Sequence, residues 1–196
     1  MTPVTDSFSD RRYAWPMGES AVLTNGRKGS KSVFASLEKD HEETFKNLNG
    51  FYEALQNLRF EGKQSMGKNM SEVQKLAGYF KGRIKEHMRE EERVLFPFLK
   101  SHIPRLEPMI FLLLSEHEDF RNSLRDLAHV LTEFKKPGRN KERLIHGLSE
   151  KGTYLIFLLR SHMRVESLSL YRVADKELNR SEKKQLIKQL KTGGHL

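Results

Sequence analysis

"KEHMREEERVLFPF", residues 85–98, ends in Leu95, Phe96 and Phe98, side chains of the kind that build a core. Counting back in steps of three and four gives Val94, Glu91, His87, Ile84 and Phe80. On a helix these positions share one face. A histidine and a carboxylate, one turn apart, therefore face the same interior as Phe80 and Ile84.

The same interruption recurs along the chain. A first helix, opened by Ser32 as N-cap, carries the stripe Leu37, His41, Phe45, Leu48, Tyr52 and Leu55. "RFEGKQSMGKNMS" (59–71) reads as a polar loop. The second helix presents Val73, Leu76, Phe80, Ile84, His87, Glu91 and Val94, and is expected to kink or stop before Pro97. A third helix, with Pro108 in its first turn, presents Ile110, Leu113, His117, Phe120, Leu124, Leu127, Leu131 and Phe134. The fourth, capped by Asn140, presents Leu144, Leu148, Leu155, Leu159, His162, Glu166, Ser169 and Val173.

Four long helices with short connections predict an all-α, up-down-up-down four-helix bundle over residues 32–175. Residues 1–31, rich in Gly, Pro and Ser, read as an irregular arm that Tyr13 and Trp15 pin to an apolar groove. Residues 176–196 read as a short basic amphipathic helix, Ser181 to Lys191, and a tail.

Composition narrows the chemistry. The 196 residues include no cysteine, which removes disulfides and thiolate ligands. No long apolar run suits a membrane span, and residues 1–30 lack the apolar middle of a secretory signal, so a soluble, cytoplasmic protein without membrane contact is expected. The net charge of +9 leaves room for an anionic partner. The basic stretch 179–191 lacks the aromatic interleaving of a nucleic-acid binder and reads as a solvated helix whose Leu186, Ile187 and Leu190 dock on the bundle, with a protein partner through the arm or this helix as the alternative.

Each stripe contains one histidine: His41, His87, His117 and His162. Glu91 and Glu166 follow two of them at i+4, on the same face. His41 and His117 lie early in their helices, and the two His-x-x-x-Glu pairs late in theirs. In an antiparallel bundle these heights coincide, so all six side chains converge in one layer. The chain also repeats: "LEKDHEE" (37–43) aligns with "LLSEHED" (113–119), and residues 79–96 align with 154–171, at offsets of 76 and 75. A duplicated hairpin would bring three of the six from each half to a shared centre.

A buried carboxylate costs several kcal/mol unless it is paired or binds a metal. No lysine or arginine occupies the stripes to pair with Glu91 or Glu166. Histidine and carboxylate without thiolate suit iron, manganese or zinc. Six donors are too many for one tetrahedral zinc. Two ions, each taking two histidines and sharing two glutamates, use the set and leave positions for a bridging oxide or hydroxide and an outside ligand. Two iron ions are the first expectation, manganese or a mixed pair the second. Tyr79, Tyr154 and Tyr171 lie near these ligands and read as core packing with the hydroxyl satisfied, or as channel or donor groups. Glu90, Glu92 and Glu116 read as solvated neighbours.

The order His, His-x-x-x-Glu, His, His-x-x-x-Glu, with "EEERVLFPFL" (90–99), resembles the hemerythrin-like, or HHE cation-binding, family over about residues 33–175. The resemblance implies a non-haem di-iron centre with Glu91 and Glu166 as bridges. Oxygen-carrying hemerythrins have His-x-x-x-His on the third helix, where this chain has Leu113 and Arg121 around His117, and they end with His-x-x-x-x-Asp rather than His162-x-x-x-Glu166. The pattern is closer to the di-iron proteins of iron–sulfur repair and nitrosative stress, although the sequence lacks the cysteines those often carry. Ferritin-type storage needs Glu-x-x-His on two helices. Glu38 and His41 fit, but Leu114 stands where the second half needs its glutamate. The functional expectation is binding of, and reaction with, dioxygen, nitric oxide or peroxide. A metal or oxygen sensor, or an iron donor to damaged clusters, is the alternative.

Overall fold

The computed structural model describes residues 32–60 and 62–193; the expected arm at 1–31 lies outside the described residues. Every regular element among the described residues is helical. Helix α1 spans Ala35–Phe60. The second rod is built in pieces: α2 (Gly62–Tyr79), a π turn (Phe80–Ile84), α3 (Lys85–Glu90), a π turn (Glu91–Leu95) and α4 (Phe96–His102). A 3₁₀ turn, Pro104–Leu106, leads into α5 (Glu107–Phe134). Then come α6 (Lys141–Val165), a π turn (Glu166–Leu170), α7 (Tyr171–Glu177) and α8 (Arg180–Gly193). Helix α1 packs on α2 and α6, and α5 on α6 and α2, which closes a four-rod ring. The expected bundle is the observed one.

Two of the expected caps are present. The Phe34 N–H donates to Ser32 Oγ at 3.1 Å, and the Arg143 N–H donates to Asn140 Oδ1 at 3.0 Å. Helix α8 opens with a capping box: Asn179 Oδ1 accepts from the Ser181 and Glu182 N–H groups, and the Asn179 N–H donates to Glu182 Oε2. At Gly152 of α6 the rods come close together. A Cβ there would stand 2.4 Å from Leu55 Cδ1 of α1.

Two expectations about the second rod need correction. Most of the segment 59–71 is not a loop, because α2 begins at Gly62. Its Gly, Ser and Asn content disfavours a helix, but Met70 is buried and Met66 half-buried, continuing the stripe into Val73 and Phe80, and packing overrides propensity. Nor does the chain stop before Pro97. The π turn at Glu91–Leu95 displaces the bonding pattern by one residue, the Phe96 N–H reaching back to the Glu91 carbonyl. Pro97 then falls at the start of a fresh α segment, where a missing N–H costs least.

The π turns also rotate the buried face. Beyond Glu91 the core takes Leu95, with Val94 only half-buried. Beyond Glu166 it takes Leu170, Tyr171 and Ala174 in place of the expected Ser169 and Val173. On α1, Phe51 is buried and Tyr52 is turned out; on α5, Val130 is buried and Leu131 half-buried.

The core is divided in two. One cluster runs from Leu48 through Phe80, Phe120 and Leu155 to Met163. The other joins Phe34, Leu37, Leu95, Leu113 and Leu170 to Leu186 and Leu190 of α8. The layer between them is polar.

Candidate metal centre

That layer holds His41, His87, Glu91, His117, His162 and Glu166, none more than 4% exposed. The two glutamates are the first residues of the matched π turns, Glu91–Leu95 and Glu166–Leu170. A π turn opens a helix locally and often marks a functional site. Here it aims a carboxylate across the bundle, while the apolar side chains after it return to the core.

The donor atoms converge. His41 Nε2 lies 3.0 Å from His87 Nε2, and His117 Nε2 lies 3.0 Å from His162 Nε2. Glu166 Oε2 is 3.3 Å from His41 Nε2 and 3.4 Å from His162 Nε2. Glu91 Oε1 is 3.3 Å from His87 Nε2, and its Oε2 is 3.5 Å from His117 Nε2. Two four-residue groups result, His41–His87–Glu91–Glu166 and His117–His162–Glu91–Glu166, sharing both glutamates.

Their neighbours leave three of the four carboxylate oxygens unsatisfied. Glu91 Oε2 and both Glu166 oxygens are buried and accept no hydrogen bond among the described residues. Two neutral imidazole nitrogens at 3.0 Å present lone pairs to each other, which is repulsive. Yet 3.0 Å is about the separation of two nitrogens that each lie ~2.1 Å from a common ion at a right angle. The donor set therefore fits cations. Without one, protons must substitute. The charge of Glu166, with the hydrogen bond to Glu116, overcomes burial and lifts His162 to about 10. His87 is pushed well above the usual range against burial, chiefly by the Glu91 charge. His117 is raised, against burial, by the Glu91 carboxylate and by its hydrogen bond to Glu92. Although burial opposes it, Glu91 is held well below the usual carboxylate range by the nearby His87 and His117 imidazoles.

The outer nitrogens reveal what residue patterns missed. His117 Nδ1 donates to Glu92 Oε1 and His162 Nδ1 to Glu116 Oε2, both at 2.8 Å. A carboxylate only accepts, so it fixes the proton on Nδ1 and leaves Nε2 for the interior. Glu92 and Glu116, expected as solvated neighbours, thus orient two candidate ligands; Glu92 is also bridged by Arg121. They flank Glu91 and His117 in sequence, where a neighbouring helix comes within reach, and that adjacency was the available signal. His41 Nδ1 meets Ser167 Oγ at 3.0 Å, and His87 Nδ1 faces Asp40 Oδ2 at 3.5 Å.

Tyr171 donates to Glu91 Oε1 at 2.8 Å from beneath, its ring stacked on Phe34. Burial and the nearby Glu166 and Glu91 charges keep its proton in place by raising its pKa well above the usual value. Tyr79 is 3.5 Å from Thr44, and Tyr154 is 52% exposed, so Tyr154 lines neither core nor channel.

Fold and site together define a helical bundle with a buried layer of histidines and glutamates that fits cations. Residues 32–174 match the hemerythrin HHE cation binding domain, and the chain belongs to that family. No curated protein matches it significantly. The buried His/Glu groups fit a metal-binding hemerythrin-like protein. No described helix is long and apolar enough to cross a membrane.

Proposed function

We propose that the chain holds two metal ions, iron by preference, and reacts with dioxygen, nitric oxide or peroxide. His41 and His87 would serve one ion and His117 and His162 the other, with Glu91 and Glu166 shared. The observation that carries this reading is the pair of buried four-residue groups with both carboxylates in common. Such a pair of ions, when bound, supplies one-electron redox chemistry to small ligands.

The residues around the layer set what can reach it. With none of the six more than 4% exposed, only small molecules gain entry without rearrangement. Leu113 is buried beside His117 on α5, and Arg121 is engaged with Glu92 and Glu118. Neither provides a fifth imidazole, so the protein would leave positions on each ion unfilled. Tyr171 holds Glu91 in place with a proton that stays on the phenol. This openness favours reaction over reversible carriage.

Stopped-flow mixing of the anaerobic ferrous protein with oxygen tests the reading. Oxidation from which oxygen cannot be recovered under vacuum is expected. Full recovery of oxygen would mark a carrier instead.

A second reading, a sensor, draws on one contact. Helix α8, basic and partly exposed, packs on the π turn that carries Glu91, so a shift at Glu91 would have a path to the surface. Metal-dependent hydrogen exchange confined to Arg180–Gly193 would favour it.

A further inference from the structure

The two halves of the centre are not equivalent, and the difference lies outside the six candidate ligands. We infer that the His117/His162 position binds its ion more tightly and fills first, while the His41/His87 position is the exchangeable one. This rests on the two-ion reading above.

Both positions share Glu91 and Glu166, so those carboxylates do not discriminate between them. The imidazoles do. Each histidine of the His117/His162 pair is held at 2.8 Å by a carboxylate, Glu92 or Glu116. A carboxylate behind an imidazole makes it a stronger donor and fixes the ring, and losing such a partner typically costs about 10–100-fold in metal affinity.

Among the described residues, the outer nitrogen of His41 has only the Ser167 hydroxyl, at 3.0 Å. A hydroxyl adds no charge and can donate as well as accept, so it does not pin the tautomer. His87 faces Asp40 Oδ2 at 3.5 Å, beyond a good hydrogen bond, and that carboxylate is shared with Arg83, which pairs with its other oxygen at 2.6 Å. The duplication localises the difference to a residue. Ser167 follows Glu166 as Glu92 follows Glu91, so the second half carries a hydroxyl where the first carries a carboxylate. Sequential filling also makes a mixed-metal pair accessible, the second ion being chosen after the first is fixed.

Manganese(II) titration of the full, metal-free chain, followed by electron paramagnetic resonance, reads the order. An isolated ion gives the signal of a single centre, which an exchange-coupled pair suppresses. The expected signal rises to one equivalent and then falls, with dissociation constants separated by about tenfold or more. Glu116→Gln, which removes a charge from a partly exposed side chain, weakens the first step by about tenfold and leaves the second in place; Glu92→Gln does the same. Two steps of equal affinity, or variants that weaken only the second step, would overturn the inference while leaving two ions bound. Uptake of one ion or none would overturn the two-ion reading and the inference with it.

Discussion

Replacing Tyr171 by Phe removes one oxygen from the interior and changes little else. The ring remains stacked on Phe34, with centroids 4.7 Å apart and planes 4° from parallel, so packing is retained. What is lost is the 2.8 Å hydrogen bond to Glu91 Oε1 at a fully buried position. A hydrogen bond to a charged group contributes about 1.5–3 kcal/mol. For a chain of this size each kcal/mol moves Tm by roughly 2–4 °C, so the metal-free variant should melt about 3–12 °C lower. With ions bound, the Glu91 oxygens have a cation to face and depend less on the phenol. The loss should then fall to the level of an ordinary hydrogen bond, about 0.5–1.5 kcal/mol. Calorimetric melts of both proteins, with and without metal, measure the difference. Equal losses in the two states, or none in the metal-free state, would refute the claim that Tyr171 substitutes for missing charge at Glu91.

The remaining predictions concern the ligand face, protons and packing. Glu91→Ala or Glu166→Ala should abolish binding of both ions, whereas Glu90→Ala leaves metal content unchanged; equal losses by elemental analysis would place the wrong face inward. At neutral pH, loading should release up to three protons, from His87, His117 and His162, since the folded protein raises all three. Metal affinity should accordingly climb with pH. The stability that these charged imidazoles lend the metal-free fold is full below their unfolded value of about 6.5. For His162 it is lost as pH rises through about 10. Calorimetry in buffers of different ionisation enthalpy counts the protons, and a pH-independent affinity would contradict the scheme. Gly152→Ala forces Leu55 aside, costing about 1–3 kcal/mol against a gain of about 1 kcal/mol in helix propensity; a variant that melts higher would show that α1 and α6 are not in close contact there.

The layer of six side chains was legible because helical period, duplication and the cost of burying a carboxylate point to the same positions. His41 and His87 could be matched in height across two helices from their places in the chain alone. What escaped the sequence lay in the π turns. A period of 3.6 sends Val94, Ser169 and Val173 inward, whereas the wider turns after Glu91 and Glu166 substitute Leu95, Leu170 and Tyr171. No local residue pattern announces such a turn. Glu92 and Glu116 were misread for a related reason. Each faces sideways on its own helix and finds its histidine on the next one, a contact set by inter-helix rotation rather than by spacing along the chain. The α2 segment was lost to its Gly and Ser content, although Met66 and Met70 keep the helical spacing into Val73.

The central claim is that these six buried side chains together hold two ions. Elemental analysis of the full chain after iron-supplemented expression tests it most directly, with the His117→Ala variant measured in parallel. Two ions per chain in the parent, predominantly iron, and fewer than two in the variant is the predicted result. A single zinc, or no metal in the parent, would contradict it.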